Sequence, residues 1–414
     1  MHAHDHDHGE PVPPRTRRLL IGAVVPVVVA IVVGLVLLWP GEVEVDAFTD
    51  SVAADDIYSA TVVQVLDVPC QGTDPSLDIG CTIPSIELHE GPDEGQIIEL
   101  AEESDFGVPL EAGDRIVVAY AADAPEGFQY AYQDRERRQP LLVLAVLFAL
   151  AVLLLGRVKG LRALAGVAVS LVVLAAFILP AILEGSEPVL VALVGAGAIA
   201  VIALYLSHGV NARSTTALIG ALVSLALVGL LAWAFVGLTD LSGLADEEAR
   251  FLQVAASQVR LQGLILAGIV IGTLGVLDDV TVTQVSAVWE LHHANPELDR
   301  ASLFRGALRI GRDHIASVVN TLVLAYAGAS LPLFLLFTSA RQGLIDTANS
   351  EVVAVEIVRT LVGSIGLVAA VPITTALAVF VIGEAHGHST SRRTGGINDP
   401  REHKSRQERW MWGE

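Results

Sequence analysis

GIVIGTLGVLDDVTVTQVSAVWELHH, residues 268–293, decides the fold, because an apolar helix continues there without a break into two adjacent carboxylates, Asp278 and Asp279. Side chains three and four residues apart lie on one face of a helix. One such stripe contains Gly268, Gly272, Gly275, Asp279, Thr283, Ser286, Glu290 and His293. Its glycines predict close packing against a neighbouring helix, which would then also lie beside the polar residues. Asp278 lies about 100° around the helix and faces a different neighbour.

The depth of the two aspartates separates a functional from a structural interpretation. A carboxylate at the bilayer centre costs about 2.5 to 3.5 kcal/mol on insertion scales, so it normally faces a cavity or a partner. The apolar run 261–277 rises about 26 Å, slightly less than a bilayer core of about 30 Å. The pair therefore either couples an ion or solute near the end of the span or only marks where the helix leaves the membrane. The phased polar stripe favours the first interpretation.

Three motifs resemble the YibE/F family of bacterial integral membrane proteins. They are GVLDDVTVTQ at 275–284, GRVKGLR at 156–162 and GVNARSTTALIGAL at 209–222. The resemblance extends from about Val45 to Gly383. It implies a multi-pass membrane protein of the kind treated as a permease, with no established substrate.

The composition independently predicts an α-helical polytopic membrane protein. Hydrophobic residues make up 53% of the 414 residues and fall in long blocks. The formal net charge is −21, and residues 41–139 alone contain 23 Asp and Glu against 4 Arg. Nucleic acid is therefore excluded as a partner, since binding it needs a basic surface.

Residues 41–139 differ in pattern from the rest of the chain. Short β-branched runs bounded by Gly, Pro, Asp or Ser predict about five strands in a small β domain, OB-like or another small barrel. Both cysteines of the chain, Cys70 and Cys81, lie in this segment. An oxidising compartment favours a disulfide between them, and the alternatives are a free pair or a metal site.

Eight apolar blocks predict about eight transmembrane helices. The basic residues between the blocks alternate as the positive-inside rule requires when both termini are cytoplasmic, in a bacterial cytoplasmic membrane. The predicted regions are a His-rich tail at 1–18, an anchor helix at 19–39, an acidic extracytoplasmic β domain at 41–139, a seven-helix membrane domain at 140–383 and a cytoplasmic tail at 384–414. Arg135, Arg137 and Arg138 are an exception, because they precede the second span on the outer side.

The N-terminal segment MHAHDHDHGEP is too polar to form a packed core. His2, His4, His6 and His8 predict either a site for a divalent metal or a biased terminus without a role. The sequence indicates no other cofactor.

Further polar residues lie in the later apolar blocks. His314 and Asn320 begin the seventh block on the side where Asp279 ends the sixth, so a carboxylate and a histidine can pass a proton or hold a cation across a helix interface. Thr374 and Thr375 follow Pro372, which frees a backbone carbonyl deep in the last block. A headgroup-level histidine and a proline tolerated for packing are the structural alternatives. Together with the aspartates, these residues and Thr283, Gln284 and Ser286 form the predicted site.

Two functions remain open, and neither is enzymatic, because the sequence has no nucleophile elbow, phosphate-binding glycine loop or HExxH motif. The first is a secondary transporter or channel for a small solute or ion, coupled through the aspartate pair. The second is a non-transporting scaffold of the cell envelope that presents the β domain to an assembly. The lipid bilayer is the expected partner in both cases, with a homo-oligomer or an envelope protein as further possibilities.

Overall fold

The structure of the chain, a computed structural model, describes residues 14–41, 56–69, 80–100, 103–104, 109–125, 127–245, 247–340 and 343–386. The chain divides into two compact units, one of residues 44–160 and one of residues 1–43 with 161–414. The first unit contains a small antiparallel sheet, and the second contains most of the helices.

Helices make up most of the described chain. They are α1 (Pro14–Leu37), α2 (Arg138–Val173), α3 (Leu179–Leu183), α4 (Pro188–His208), α5 (Ala212–Leu238), α6 (Glu247–Ala255), α7 (Leu261–Ala294), α8 (Arg300–Ala329), α9 (Leu331–Ser339), α10 (Leu344–Asn349) and α11 (Glu351–His386). A π-helical turn, Leu174–Ile178, joins α2 to α3, where Pro180 has no N–H for the helical ladder.

Six helices in the described part of the chain are long and apolar enough to cross a membrane, or seven if the bent pair α8 and α9 forms one span. The number is lower than the eight predicted blocks because the second and third blocks fall within one helical stretch, residues 138–183. Helix α8 begins in the connection between the sixth and seventh blocks and runs into the seventh block without a break.

The chain turns sharply inside α2. Arg157 has φ 48° and ψ −125°, a conformation that is unusual for a residue other than glycine. Gly160 comes back against the carbonyl of Val152, and a Cβ atom at this glycine would collide with it. The turn lies between the two blocks that the sequence predicts as separate spans.

Six strands form the sheet of the first unit. They are β1 (Asp56–Pro69), β2 (Gly80–Leu88), β3 (Ile97–Glu99), β4 (Glu103–Ser104), β5 (Arg115–Tyr120) and β6 (Tyr130–Arg135). The order is β3-β2-β1-β5-β6, and β4 pairs with β2. Alternate residues such as Val62, Ile86 and Ile116 point to a buried core. Among the described residues no pairing of β3 with β6 closes a barrel, so the OB-like fold stays a prediction.

Two predicted features fall wholly or partly outside the described residues. Cys81 is buried at the start of β2, but Cys70 lies outside the described part, so their disulfide stays a prediction. The pairing of β1 with β2 sets Pro69 opposite Gly80, the residues that precede the two cysteines. The histidines of the N-terminal tail, residues 2–8, also lie outside it.

The three arginines that break the positive-inside pattern are each paired with a carboxylate of the same unit. The pairs are Arg135 with Asp114 at 3.0 Å, Arg137 with Asp134 at 2.5 Å and Arg138 with Glu136 at 3.9 Å. The hydrogen bond from Arg137 also lowers the pKa of the Asp134 carboxyl. Their charges therefore have partners in the protein.

Helix α7 lies at the centre of the second unit and packs against α4, α5, α8 and α11. Close contacts at glycines show the directions of these helices: Gly229 of α5 lies beside Val270 of α7, and Gly363 of α11 beside Thr273 of α7. Helices α4, α7 and α11 run in one direction, while α1, α5 and α8 run in the other.

Candidate functional site

The packing of α7 against α5 shows how deep the two aspartates lie. Gly229 contacts Val270, and Ala217 lines the same small pocket as Val282, so the two helices are antiparallel. In this register Asp278 lies level with a point on α5 that is about 14 Å along the helix from its first residue, Ala212. The aspartates are therefore well inside the layer of helices.

This depth differs from the boundary that the apolar run alone suggests. Helix α7 continues to Ala294, and one of its faces stays buried as far as Trp289. Protein, rather than lipid or water, covers that face after Leu277. The end of the hydrophobic run is consequently not the end of the packed helix.

Asp279 of α7 and His314 of α8 face each other. The His314 Nε2 atom lies 3.7 Å from Asp279 Oδ2, and the side chains are 35% and 69% exposed. This distance forms an ion pair when the imidazole is protonated and is too long for a direct hydrogen bond. Within the described residues Nε2 has no hydrogen-bond partner. The pair can accept a proton, or admit a small cation or polar group between its members.

We call the open strip along α7 between Gly268 and Asp279 the glycine groove. Its other end is also polar, since Arg359 of α11 donates from Nη1 to Glu356 Oε1 at 2.7 Å. A Cβ atom at Gly268 would lie 3.9 Å from Arg359 Nη2. The groove is about 16 Å long. Charged groups therefore lie at both of its ends.

The glycines of the groove do not make the backbone-to-backbone contact that the sequence predicts. Apart from its own helix, a Cβ atom at Gly272 would have only the Tyr326 hydroxyl of the described residues within 4 Å, at 3.0 Å, and one at Gly275 would have none of them. The physical reason is that α8 reaches this part of α7 through the side chains of Tyr326 and His314 and not through its backbone. The small residues leave open space instead of a tight helix contact.

Gln284 belongs to a separate, buried cluster that joins three helices. Its Nε2 donates to the Ala307 carbonyl of α8 at 2.9 Å and to Thr375 Oγ1 of α11 at 2.7 Å. Thr375 in turn donates to the Val371 carbonyl at 2.6 Å. Since both side chains are almost fully buried and already bonded, their arrangement is that of a structural connection.

The structure separates the remaining predicted residues. Thr374 is fully buried against Gly220 of α5, and its hydroxyl has no hydrogen-bond partner in the described part of the chain. Thr283 and Asn320 are exposed on α7 and α8. Ser286 lines a pocket on a neighbouring side of α7. The residues predicted as one site thus occupy the groove, the buried cluster and this pocket.

The pocket lies between the end of α4, the start of α5 and α7, and we call it the α4–α5 pocket. It has a volume of about 140 Å³ and is lined by His208, Asn211, Arg213, Ser214, Ala217, Val282, Val285 and Ser286. Asn211 holds the turn in place, because its Oδ1 accepts from the Ser214 N–H at 2.9 Å and its Nδ2 donates to the His208 carbonyl at 2.9 Å. The wall formed by the turn and the start of α5 is therefore polar, and the wall formed by α7 consists of Val282, Val285 and Ser286.

Sequence reasoning did not select Tyr326, His208 or Arg213 as site residues. Tyr326 gives no signal in an apolar block. His208 precedes, and Arg213 belongs to, the motif at 209–222, which the structure brings against the motif at 275–284. The meeting of two family-like motifs is a signal that could have identified both residues.

The fold and the site define a membrane protein with several apolar helices, a small antiparallel sheet near the N-terminus and two carboxylates inside its helical unit. The YibE/F-like protein family matches residues 144–384, more than half of the chain. The chain therefore belongs to the YibE/F-like family, which confirms the resemblance that its motifs indicate. No curated protein and no solved structure matches it.

Proposed function

We propose that the chain is a permease-like secondary transporter of a small solute or ion, coupled through Asp278 and Asp279. The observation that supports this most is the pair formed by Asp279 and His314 at the end of the glycine groove. A carboxylate at this depth needs water, a ligand or a cation beside it. The groove provides the space, and the ion pair of Arg359 and Glu356 lies at its far end.

The groove suits a polar substrate that moves between helices α7 and α8. Its walls carry a carboxylate, an imidazole, a phenol and a guanidinium, while the glycines keep its floor free of side chains. Helix α8 is exposed over most of its second half, so few contacts oppose its movement against α7. A change in the distance between the two helices would open or close the space beside Asp279.

The proposal includes eight crossings with both termini on the cytoplasmic side. The turn at Arg157 supports two crossings within residues 138–183, since this stretch would otherwise be about 68 Å long. The alternating directions of the helices in the second unit support termini on the same side. On this topology the β unit and its proposed disulfide face the outside.

A scaffold for an envelope assembly is the second candidate function. The residues of the sheet form a compact unit with their own buried core, as a binding module requires. A scaffold does not, however, need a charged pair deep among its helices. The two functions therefore differ in what they require of Asp279.

Reconstitution of the full chain in vesicles tests the proposal. A panel of inorganic ions and small organic acids would be offered under an imposed pH or sodium gradient, and uptake would be measured. We expect uptake of at least one solute, its loss in Asp279→Asn, and normal uptake in Glu297→Gln, which removes an exposed carboxylate between α7 and α8. An active Asp279→Asn variant would contradict the coupling role, and a cellular role that survives this substitution would support the scaffold.

A further inference from the structure

Asp278 and Asp279 are adjacent in sequence but face different spaces. Asp279 opens on the glycine groove, whereas Asp278 shares a helix face with Val282 and Val285, which line the α4–α5 pocket. Asp278 therefore lies about one turn beyond the floor of this pocket, towards the middle of the helical layer. Asp278 is not itself a lining residue, but it continues the face of α7 that forms one wall of the pocket.

The Asp278 carboxyl group is enclosed and poorly satisfied. Its Oδ1 atom is buried and has no hydrogen-bond partner among the described residues. The neighbouring Thr281 hydroxyl donates to the backbone carbonyl of Asp278 and not to the carboxylate. Ionisation of an oxygen without a hydrogen-bond donor is unfavourable, because its charge is not compensated.

The charged groups around Asp278 come from two helices. His208, at the end of α4, lines the pocket, and Asp279 adds a like charge on α7 itself. Arg213 of α5 lines the pocket but is shared with Glu290, 3.8 Å away. From α8, His314 faces Asp279 instead. From α11, the uncharged Thr374 and Thr375 lie level with Gln284, about 9 Å along α7 from Asp278.

This set of groups suits a proton better than a metal cation. Metal cations such as Ca²⁺ and Mg²⁺ require about six or more oxygen ligands, and the described residues contain no group of three His, Cys, Asp or Glu side chains that could hold one. A proton requires one carboxylate oxygen and a donor that can reach it. A histidine is the side chain best suited to that role near neutral pH.

We infer that the α4–α5 pocket is the access path by which a proton reaches Asp278, and that H⁺ is the ion coupled to transport. A hydronium ion in the pocket gives its proton to the His208 imidazole and becomes water, the imidazolium passes a proton on to the Asp278 carboxylate, and the imidazole returns to its neutral form. The two aspartates then have separate tasks, since Asp278 binds the coupling proton while Asp279 faces the substrate groove. The inference rests on the proposed transport function, but its chemistry can be tested without a substrate.

Dicyclohexylcarbodiimide tests the protonation of Asp278 directly. This apolar reagent takes up the proton of a neutral carboxyl group while the carboxyl oxygen adds to its central carbon, and the adduct rearranges to a stable N-acylurea. Full-length protein in vesicles would be treated across a pH series and the labelled peptides identified by mass spectrometry. We expect several-fold more label on Asp278 than on Asp279, decreasing as the pH rises, unchanged by sodium or magnesium ions, and absent in Asp278→Asn.

Three outcomes of this experiment would overturn the inference. They are preferential labelling of Asp279, no labelling of Asp278 at any pH, and protection of Asp278 by a metal cation. In His208→Gln we expect the pH dependence of labelling at Asp278 to shift, because the adjacent basic group is lost. An unchanged profile would remove His208 from the path. Absence of transport for every solute tested would leave these results intact, so the two proposals fail separately.

Cysteine accessibility tests whether the pocket is filled with water. Ser286→Cys places a thiol in the pocket, and Thr281→Cys places one on the buried face of the same helix. We expect a charged, membrane-impermeant thiol reagent to modify the first and not the second, with the modified peptide identified by mass spectrometry. A Ser286→Cys thiol that resists the reagent would show a dry pocket and refute the access path.

Discussion

The two long faces of α7 contrast sharply in how their polar residues are used. On the packed face, Gln284 is buried and bonded to two other helices. On the open face, Asp279 is exposed, and its nearest partner is an imidazole beyond hydrogen-bond distance. A buried polar group without a hydrogen-bond partner destabilises the fold, whereas an exposed polar group does not need a partner in the protein and can bind a ligand. The contrast separates polar residues that hold helices together from those available for function.

The glycines follow the same division. A Cβ atom at Gly311 of α8 would lie 2.6 Å from Gln284 Oε1 and 2.5 Å from Val371 Cγ1, so this glycine is required for packing. For Gly275, on the open face, no atom of another described element lies within 4 Å of the Cβ position. A glycine in a membrane helix can therefore indicate either close contact or open space.

The largest effect is expected when a side chain is added to the packed face. Gly311→Leu would push into Gln284 and Val371, and overpacking of this kind costs about 1 to 3 kcal/mol or more. We expect little folded protein, measured by size-exclusion chromatography and thermal unfolding in detergent. Gly275→Leu is the matched control and should remain folded. An equal loss of folded protein in the two variants would contradict the difference between the packed and the open face of α7.

A smaller loss of stability is expected when the buried amide is removed. Gln284→Leu abolishes the bonds to Ala307 and Thr375, and leaves buried polar atoms with fewer partners, at a cost of about 1 to 3 kcal/mol. Thermal unfolding in detergent would measure it against Thr283→Val, an exposed neighbour of similar polarity. A Gln284→Leu protein as stable as the Thr283→Val protein would show that the cluster is not a structural connection.

The pair of Asp279 and His314 should contribute still less to the free energy of unfolding. Exposed ion pairs are worth about 0 to 1 kcal/mol, so a double-mutant cycle with Asp279→Asn and His314→Gln should give a coupling free energy within that range. The same substitutions should nevertheless abolish uptake. A coupling free energy well above about 1 kcal/mol would show that the pair stabilises the fold and does not belong to the functional site.

The smallest effect on stability is expected in the sheet of the first unit. Tyr130 is a buried and hydrogen-bonded residue there. Its hydroxyl donates to Asp93 at 2.8 Å, and burial, with this bond as a second cause, raises the pKa of the phenol. The contribution of the protonated Tyr130 to the free energy of unfolding is complete below the ordinary pKa of about 10. It is lost as the pH rises above that value, because the unfolded chain releases the proton first.

Unfolding of the full chain at pH values on either side of about 10 would detect this change. Tyr130→Phe should remove that part of the pH dependence, whereas Tyr132→Phe, on the same strand, should retain it. Identical pH profiles for the two variants would show that Tyr130 titrates normally in the folded protein.

Part of the candidate site could be read from the sequence, because helical periodicity is local. The positions of Asp279 and the three glycines on one stripe follow from residue spacing alone, and the choice of His314 follows from which side of the membrane the next block begins. Gln284 and Thr375 were grouped with them because a spacing rule does not distinguish a buried polar residue from an open one. Only the contacts with α8 and α11 make that distinction.

By itself the sequence determined that this is a polytopic membrane protein with a small β segment and a polar stripe in its sixth apolar block. Hydropathy and periodicity determine these features within short windows of chain. The tertiary structure decided the depth of the aspartates, the separation of Asp278 from Asp279 and the meeting of the motifs at 209–222 and 275–284. Those features depend on the register of helices that are distant in sequence, which is set by side-chain packing across the whole unit and has no local signature.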